Sequence, residues 1–412
     1  MKRNLQILLA LLAGLTMSSL FAEEQKVDLE TTARLLAQKF ILVDTHIDVP
    51  YRLEEEWADV TRKLEDGDFD YWRAQEGGLN VPFMSIYTPA ESENEGDSFA
   101  MANRLIDRVE AIAGREKKKF AVVRSSREAA QAHDLGFMAL AMGMENGSPL
   151  GGELENVEFF KQRGISYITL AHSKSNHLSD SSYDENKRWS GLSPFGKEVV
   201  AEMNRLGVMI DVSHLSDQAF WQVMELSRAP VIASHSSARH FTPGWERNIG
   251  DDMIKAMAER GGIVMINFGS SFLTQEARLW YDAMDAARDA YLDQNDYDEH
   301  GSEAEEFQEK YREEHPFPFA SIDDVVRHFD HVIGLVGVEH VGIGSDYDGV
   351  GDSLPTGLKD VSQYPNLVEK FLEKGYSHED IEGILGANML RVWQSIESYA
   401  EEEAGKAAAA SP

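Results

Sequence analysis

Short, apolar, β-prone runs recur along this chain, and most of them are followed by a stretch with helical periodicity. Near-continuous hydrophobic runs of this kind are typical of parallel strands buried on both faces, because helices cover the outside of such a sheet. The alternation predicts a chain built from repeated strand–turn–helix units. Eight such runs are present, at residues 40–48, 81–87, 138–145, 167–172, 208–214, 231–235, 263–268 and 340–346.

Eight units of this type predict an α/β protein with a (β/α)8 TIM barrel, and the 412 residues are enough to build one. A ninth, shorter run at residues 120–123 is interpreted as an accessory strand. The helices carry their own boundary signals, since Ser193-Pro194 favours a helix start and Gly207 a helix end. The competing architecture is a doubly wound open sheet.

The charge balance excludes some classes of partner. The chain has 39 Lys and Arg residues against 71 Asp and Glu residues, a formal net charge of -32. Such a chain is unsuited to neutralising nucleic-acid phosphates or to docking on anionic lipid, so we expect neither partner. The same acidity favours the capture of metal cations.

The N-terminus resembles an export signal. Lys2 and Arg3 precede an apolar run, residues 5–15, that is too short to span a bilayer. We expect residues 1–22 to be a signal peptide cleaved after Ala22, with no stable membrane anchor; Leu20 is unusual at its position, so an uncleaved anchor is the alternative. The absence of cysteine fits an exported protein without disulfides, which suggests secretion to a bacterial periplasm.

The remaining chain is predicted to be one barrel domain, residues 23–398, followed by a disordered tail, residues 399–412. One segment departs from the barrel pattern, because residues 276–314 hold 14 acidic and 4 basic side chains. We interpret this segment as a helical insertion after strand seven, above the barrel rim. A solvated acidic excursion is the favoured interpretation over a substrate lid.

Polar residues with catalytic chemistry follow the predicted strands. In a barrel of this type the working residues lie at the carboxyl ends of the strands, so these side chains are expected to meet on one rim. Four of the 13 histidines are among them. The rim residues are His46, Asp48, Glu145, His172, His214, His235 and Asp346.

Their chemistry predicts a metal site. His46 and Asp48 are two residues apart on a strand and therefore point to the same face. Glu145 follows a purely apolar run, where an ionised carboxylate without a cation is costly. Imidazole and carboxylate ligands without thiolate favour catalytic zinc. The number of ligands suggests two ions, one held by His46 and Asp48 and one by His214 and His235, with Glu145 bridging them and a hydroxide between the metals.

Three further residues have candidate roles in such a site. The planar guanidinium of Arg247 could bind a substrate carboxylate, although Arg239 is close in sequence and is an alternative. His172 could donate to an oxyanion, and Asp346 could transfer a proton to a leaving amine. For the remaining histidines considered, a structural role is preferred: His177, His240 and His340.

At this point the residues resemble a known family, the membrane dipeptidase (renal dipeptidase) family of zinc peptidases, which is related to the metal-dependent amidohydrolase barrels. The chain differs from mammalian members in lacking their membrane anchor and cysteines, and it carries the long acidic insertion. The matching stretches are distributed along nearly the whole mature chain, at residues 43–48, 191–214, 233–237, 247–249, 344–349 and 358–393.

The resemblance implies a (β/α)8 barrel of the metal-dependent hydrolase type, two Zn²⁺ per chain, dipeptide substrates and, commonly, a homodimer. It implies that the metal ligands are His46, Asp48, Glu145, His214 and His235, and that His172, Arg247 and Asp346 contact substrate or act in catalysis. Two alternatives are a binuclear amidohydrolase acting on another small amide or lactone, and a non-enzymatic periplasmic solute-binding protein.

Overall fold

Within the part of the chain that the structure describes, nine parallel β-strands form the central sheet. The computed structural model describes residues 28–295, 297–298 and 301–410. The expected signal peptide therefore lies outside the described residues. In chain order the strands are β1 (Leu42–Ile47), β2 (Leu79–Tyr87), β3 (Phe120–Val122), β4 (Met138–Glu145), β5 (Ile165–Thr169), β6 (Met209–Asp211), β7 (Val231–Ala233), β8 (Ile263–Ile266) and β9 (Val341–Ile343).

Eight of these strands close into a barrel. The hydrogen-bonded order is β2-β1-β9-β8-β7-β6-β5-β4, and β2 also pairs with β4, which joins the two ends of the sheet. Among the described strands, β3 pairs with β4 alone and lies beside the N-terminal part of β4, as expected for an accessory strand. The (β/α)8 barrel is therefore confirmed. The open sheet is excluded, and so is the two-lobed architecture that a solute-binding protein needs.

Helices cover the outer surface of the barrel, and the sequence signals for their ends operate as expected. Ser193 caps the helix that begins at Pro194, and Gly207 ends it with a left-handed φ of 71°. The helices are α1 (28–39), α2 (Val49–Glu55), α3 (Tyr71–Gly77), α4 (Glu91–Glu95), α5 (Ser98–Arg115), α6 (Ser126–Asp134), α7 (Glu155–Gln162), α8 (Pro194–Leu206), α9 (Asp217–Leu226), α10 (Asp251–Glu259), α11 (Ser270–Leu273), α12 (Gln275–Asn295), α13 (Ser302–Glu314), α14 (Ile322–Val336), α15 (Tyr364–Glu373), α16 (His378–Glu382) and α17 (Asn388–Ala410).

The acidic insertion is helical and follows the seventh barrel strand, β8, as expected. It consists of α12 and α13. The prediction for the C-terminus differs from the structure, because α17 continues as a helix to Ala410 where a disordered tail was expected from residue 399. The Ala-rich composition explains this difference, since alanine has the highest helix propensity. Across the described ranges, no helix combines the length and the apolar character needed to cross a bilayer.

Large aromatic side chains fill the inside of the barrel. Tyr167 of β5 and Phe83 of β2 are fully buried with ring centroids 5.7 Å apart, and Phe83 lies 5.2 Å from Trp393 of α17. The inward-facing residues of β4 have small side chains or none, at Ala139, Ala141 and Gly143. The ring of Tyr167 packs against Gly143. The next inward position on β4 is Glu145, which is therefore presented at the carboxyl rim.

We predict that Gly143→Ala destabilises the barrel by about 1–3 kcal/mol, the usual effect of overpacking a core. A Cβ at Gly143 would lie 1.9 Å from Cζ of Tyr167, so the ring must move. Urea denaturation measures the change. The control is Gly114→Ala in α5, where a Cβ meets nothing within 4 Å and alanine should stabilise the helix by roughly 0.5–1 kcal/mol. Equal stability of Gly143→Ala and wild type would contradict the packing argument.

Candidate metal centre

The structure brings the five expected metal ligands together at the carboxyl rim of the barrel. His46 is the penultimate residue of β1 and Asp48 follows the strand, while Glu145 ends β4. His214 and His235 follow β6 and β7. All five side chains are buried, and Glu145 is only 4% exposed. Five polar groups in an apolar barrel mouth require partners that compensate for lost hydration.

Glu145 lies at the middle of this group, and its two oxygens face different partners. Oε2 lies 3.1 Å from His46 Nε2, which is itself 3.4 Å from Asp48 Oδ2. Oε1 lies 3.1 Å from His214 Nε2 and 3.2 Å from His235 Nε2. Burial by itself raises the pKa of Glu145, but the surrounding imidazoles hold it well below its usual range, so the carboxylate is ionised.

The protons on His235 can be assigned from its neighbours. Ser234 Oγ donates to Asp211 Oδ2 at 2.6 Å, so it can only accept from His235 Nδ1, which lies 2.7 Å away. His235 Nδ1 therefore carries the proton. Burial lowers the pKa of His235 well below its usual range, so the ring is neutral and its Nε2 is a bare lone pair.

That lone pair faces another basic nitrogen. His235 Nε2 lies 2.8 Å from His214 Nε2, and the pKa of His214 is also held well below its usual range, first by burial. Nε2 of His214 already receives a hydrogen bond from Arg247 at 3.0 Å, which identifies it as an acceptor. Two imidazole lone pairs and one carboxylate oxygen thus converge on the same point. This arrangement fits a divalent cation, which such a set of nitrogen and oxygen ligands binds.

A tyrosine controls the proton on His46. Tyr167 Oη donates to the carbonyl of Thr45 at 3.0 Å and lies 2.8 Å from His46 Nδ1, so it accepts the Nδ1 proton. Nε2 of His46 is left to face Glu145 and Asp48. Burial by itself lowers the pKa of His46, but Tyr167, Glu145 and Asp48 raise it overall to well above its usual range. These surroundings therefore favour a positive charge at the imidazole. A cation beside Nε2 fits the same surroundings.

The three other expected site residues border the same group. His172 Nε2 lies 3.5 Å from Glu145 Oε1, and no described group hydrogen-bonds to its Nδ1. Asp346 accepts a 2.6 Å hydrogen bond from Asn267, and its pKa is raised to about 7, first by burial. Arg247 is 1% exposed and is held by Ser236 and the carbonyl of His235.

The alternative arginine is engaged elsewhere. Arg239 forms two hydrogen bonds with the carboxylate of Asp217, at 2.7 and 2.6 Å. The histidines expected to be structural also lie outside the site. His177 pairs with Glu93, His340 donates to the carbonyl of Gly262, and the exposed His240 stacks on another histidine, His331.

The rim holds unusual backbone conformations. Five described non-glycine residues have positive φ, and four of them follow barrel strands: Asn146, His214, Asp346 and Asp348. Positive φ is disfavoured for residues with a Cβ, so the surrounding hydrogen bonds must enforce it. Gly349 is needed for space, because its Cβ would lie 2.2 Å from Asp48 Oδ2 and 2.4 Å from Asp346 Oδ1.

Sequence reasoning missed the residues that orient the ligands. These are Tyr167, Asp211, Ser234 and Asn267, together with Ser85, which donates to Glu145 Oε2 at 3.1 Å. Asp211 was the detectable one, since a carboxylate inside a short apolar strand needs buried hydrogen-bond donors. It receives them from the backbone N–H groups of Ser213 and Ser234 and from two hydroxyls.

A cavity of about 860 Å³ opens at the candidate metal centre. It is bordered by Glu145, His172, Arg247 and Asp346 from the rim and by one face of α12. The interpretation of the insertion as only a solvated excursion is therefore wrong, because this face forms part of the cavity wall. The α12 residues that border the cavity are Arg278, Tyr281, Asp285 and Arg288.

Comparison with known proteins gives a consistent result. The family description "Membrane dipeptidase (Peptidase family M19)" matches residues 30–407. Mouse dipeptidase 3 is 31% identical over 387 residues, covering 92% of this chain and 69% of the mouse protein. An uncharacterized dipeptidase of Schizosaccharomyces pombe is 30% identical and covers 89% of this chain and 84% of its own length.

Solved structures share the fold. The probable dipeptidase PvdM from Pseudomonas aeruginosa has a TM-score of 0.77 at 24% identity, covering 90% of this chain and 99% of PvdM. The metallopeptidase described as dipeptidase AC has a TM-score of 0.71 at 25% identity, covering 86% of this chain and 98% of that one. With the family match spanning nearly all of the described residues, the chain belongs to the membrane dipeptidase family of metallopeptidases.

Proposed function

We propose that this protein is a zinc-dependent dipeptidase that uses two Zn²⁺ ions per chain to hydrolyse the peptide bond of small dipeptides. The observation that carries the proposal is the position of Glu145, whose Oε2 faces the imidazole of His46 and whose Oε1 faces the imidazoles of His214 and His235. A carboxylate in this position can contribute one oxygen to each of two cations. Membership of a dipeptidase family supports the choice of reaction.

The donor atoms divide into two sets. His46 Nε2, Asp48 Oδ2 and Glu145 Oε2 would hold one ion, and His214 Nε2, His235 Nε2 and Glu145 Oε1 the other. The chain has no cysteine, and imidazole with carboxylate is the ligand chemistry of catalytic zinc. When bound, the two ions would polarise the scissile carbonyl and lower the pKa of water.

The protein side chains supply binding and proton transfer. Arg247 borders the cavity with a planar, permanently charged guanidinium, which suits the α-carboxylate of a dipeptide. His172 also borders the cavity, and burial lowers its pKa, so the neutral ring keeps one N–H to donate to the developing oxyanion. Asp346 is held in place by Asn267 and, as a carboxyl with a raised pKa, would carry a proton to the leaving amine.

We also propose that the protein acts after export, in the periplasm of a bacterium, as a homodimer without a stable membrane anchor or a nucleic-acid partner. The support is the charged and apolar pattern of residues 1–22, the lack of cysteine and the net charge of -32. Dimerisation is supported only by the family resemblance.

The first prediction concerns metal content. Purified protein should contain close to two zinc ions per chain by mass spectrometry and should lose activity to chelators. Glu145→Gln should lose metal and activity together, because a neutral amide cannot bridge two dications. The matched control is Glu402→Gln on the exposed surface of α17, which should keep both. Full activity with a single tightly bound zinc would contradict the two-metal proposal.

The second prediction concerns the free carboxylate of the substrate. If Arg247 binds it, a dipeptide should be cleaved about 10 to 100 times better than its C-terminal amide, since a hydrogen bond to a charged group contributes about 1.5–3 kcal/mol. Arg247→Ala should raise KM more than it lowers kcat. It should also bring the ratio of kcat/KM between dipeptide and amide close to one. Equal kcat/KM for dipeptide and amide in the wild type would remove Arg247 from this role.

The third prediction separates chemistry from binding. Asp346→Asn preserves the shape of the side chain and its contact with Asn267 but cannot accept a proton. We expect kcat to fall by roughly 10² to 10⁴, with a much smaller change in KM and both metals retained. Steady-state kinetics and metal analysis on the same preparation test this. If the variant instead loses one zinc, Asp346 is a ligand and another group transfers the proton.

A further inference from the structure

One face of α12 forms the outer wall of the active-site cavity. The four residues that border the cavity, Arg278, Tyr281, Asp285 and Arg288, are spaced by three or four positions and so lie along a single stripe of the helix. The insertion therefore places two guanidinium groups on the cavity wall. Neither of them belongs to the barrel rim that carries the metal centre.

Arg278 is close to the residues around Arg247. Its guanidinium lies 4.7 Å from the ring centre of Trp245, and Trp245 contacts Phe272 at 5.1 Å. On the other side of this pair, the guanidinium of Arg247 lies 4.9 Å from the ring centre of Phe272. Two arginines thus flank one aromatic pair, and both border the same cavity. This cation–π contact with Trp245 holds the Arg278 guanidinium beside the ring.

The two arginines of α12 differ in their ion pairs. Arg288 lies 2.9 Å from a carboxylate oxygen of Asp285 and 2.9 Å from one of Asp289. Arg278 pairs with one carboxylate, that of Asp282, whose side chain is 49% exposed. The Arg278 side chain is 20% exposed, but water competes for the half-exposed carboxylate of Asp282 and weakens this ion pair. Arg278 can therefore exchange Asp282 for an incoming anion at low cost, whereas Arg288 already has two partners.

We propose that Arg278 is a specificity-determining residue that binds the side-chain carboxylate of an acidic residue at the C-terminal position of the substrate. This inference rests on the proposed dipeptidase function, with the α-carboxylate held by Arg247. The preferred substrates are then dipeptides that end in Asp or Glu.

The cavity wall is rich in carboxylates, so a nearby cation favours the binding of such substrates. Its wall carries six carboxylates, those of Asp48, Glu55, Glu145, Asp285, Asp346 and Asp348. Three of them, Glu55, Asp285 and Asp348, lie outside the metal centre, and their negative charge disfavours an anionic side chain. The cavity volume of about 860 Å³ leaves room for such a side chain beside the scissile bond.

The experiment compares isosteric substrates on zinc-loaded, full-length protein. We expect kcat/KM for Ala-Glu to exceed that for Ala-Gln by about tenfold in the wild type, the effect of one partly exposed charge-assisted contact. In Arg278→Gln the ratio should fall to about one or below, since the cation is gone. In Arg278→Lys it should be intermediate, because the charge remains without the planar fork.

Two further variants control for other causes. Arg288→Gln removes the same charge from the same helix and should leave the substrate ratio near its wild-type value. Asp282→Asn removes the competing partner of Arg278 and should raise the ratio. Because every readout is a ratio between two substrates on one preparation, partial unfolding of a variant does not change it.

The possible failures are distinguishable. A wild-type ratio of one, or a ratio that survives in Arg278→Gln, overturns the role of Arg278 while leaving the dipeptidase proposal intact. Cleavage of neither dipeptide by protein that carries its metals overturns both proposals.

Discussion

The ionised carboxylate of Glu145 is the group on which the rest of this structure depends. It lies in the mouth of an apolar barrel, where an unpaired charge is costly, and it is surrounded by four imidazoles: those of His46, His172, His214 and His235. The residues near it reflect this constraint. His214 and Asp346 adopt left-handed backbone conformations at the rim. Position 349 is a glycine, and a Cβ there would collide with the carboxylates of Asp48 and Asp346.

Hydrogen bonds that orient the imidazoles connect the candidate metal centre to the interior of the barrel. The ring of Tyr167 packs over Gly143 in the barrel core. Its hydroxyl accepts the Nδ1 proton of His46. At the second imidazole, Ser234 accepts the Nδ1 proton of His235 and donates its own hydroxyl proton to Asp211. Packing and chemistry are therefore coupled, because a shift of the core ring also moves a candidate metal ligand.

The repeated runs were sufficient to predict the barrel, since parallel strands leave a strong hydrophobic signal and their carboxyl ends must share one rim. That rule also located His46, Glu145, His214 and His235 before any contact was known. The supporting residues could not be found in this way. Tyr167 meets His46 across 121 positions of sequence, and that meeting depends on the stagger of non-adjacent strands. Likewise, composition showed that the insertion is acidic but not which face of α12 turns its arginines toward the cavity.

Closure of the barrel has a consequence for how the chain folds. The first strand, β1, pairs with the last strand, β9, and Asp44 accepts the backbone N–H of Ser345, 301 residues later. Trp393 of the final helix then packs against Phe83 inside the barrel. The N-terminal strand thus lacks one of its two neighbours until almost the whole polypeptide has been synthesised. Contacts of such long sequence separation form slowly, so a nascent chain exposes an unpaired strand edge for most of its synthesis.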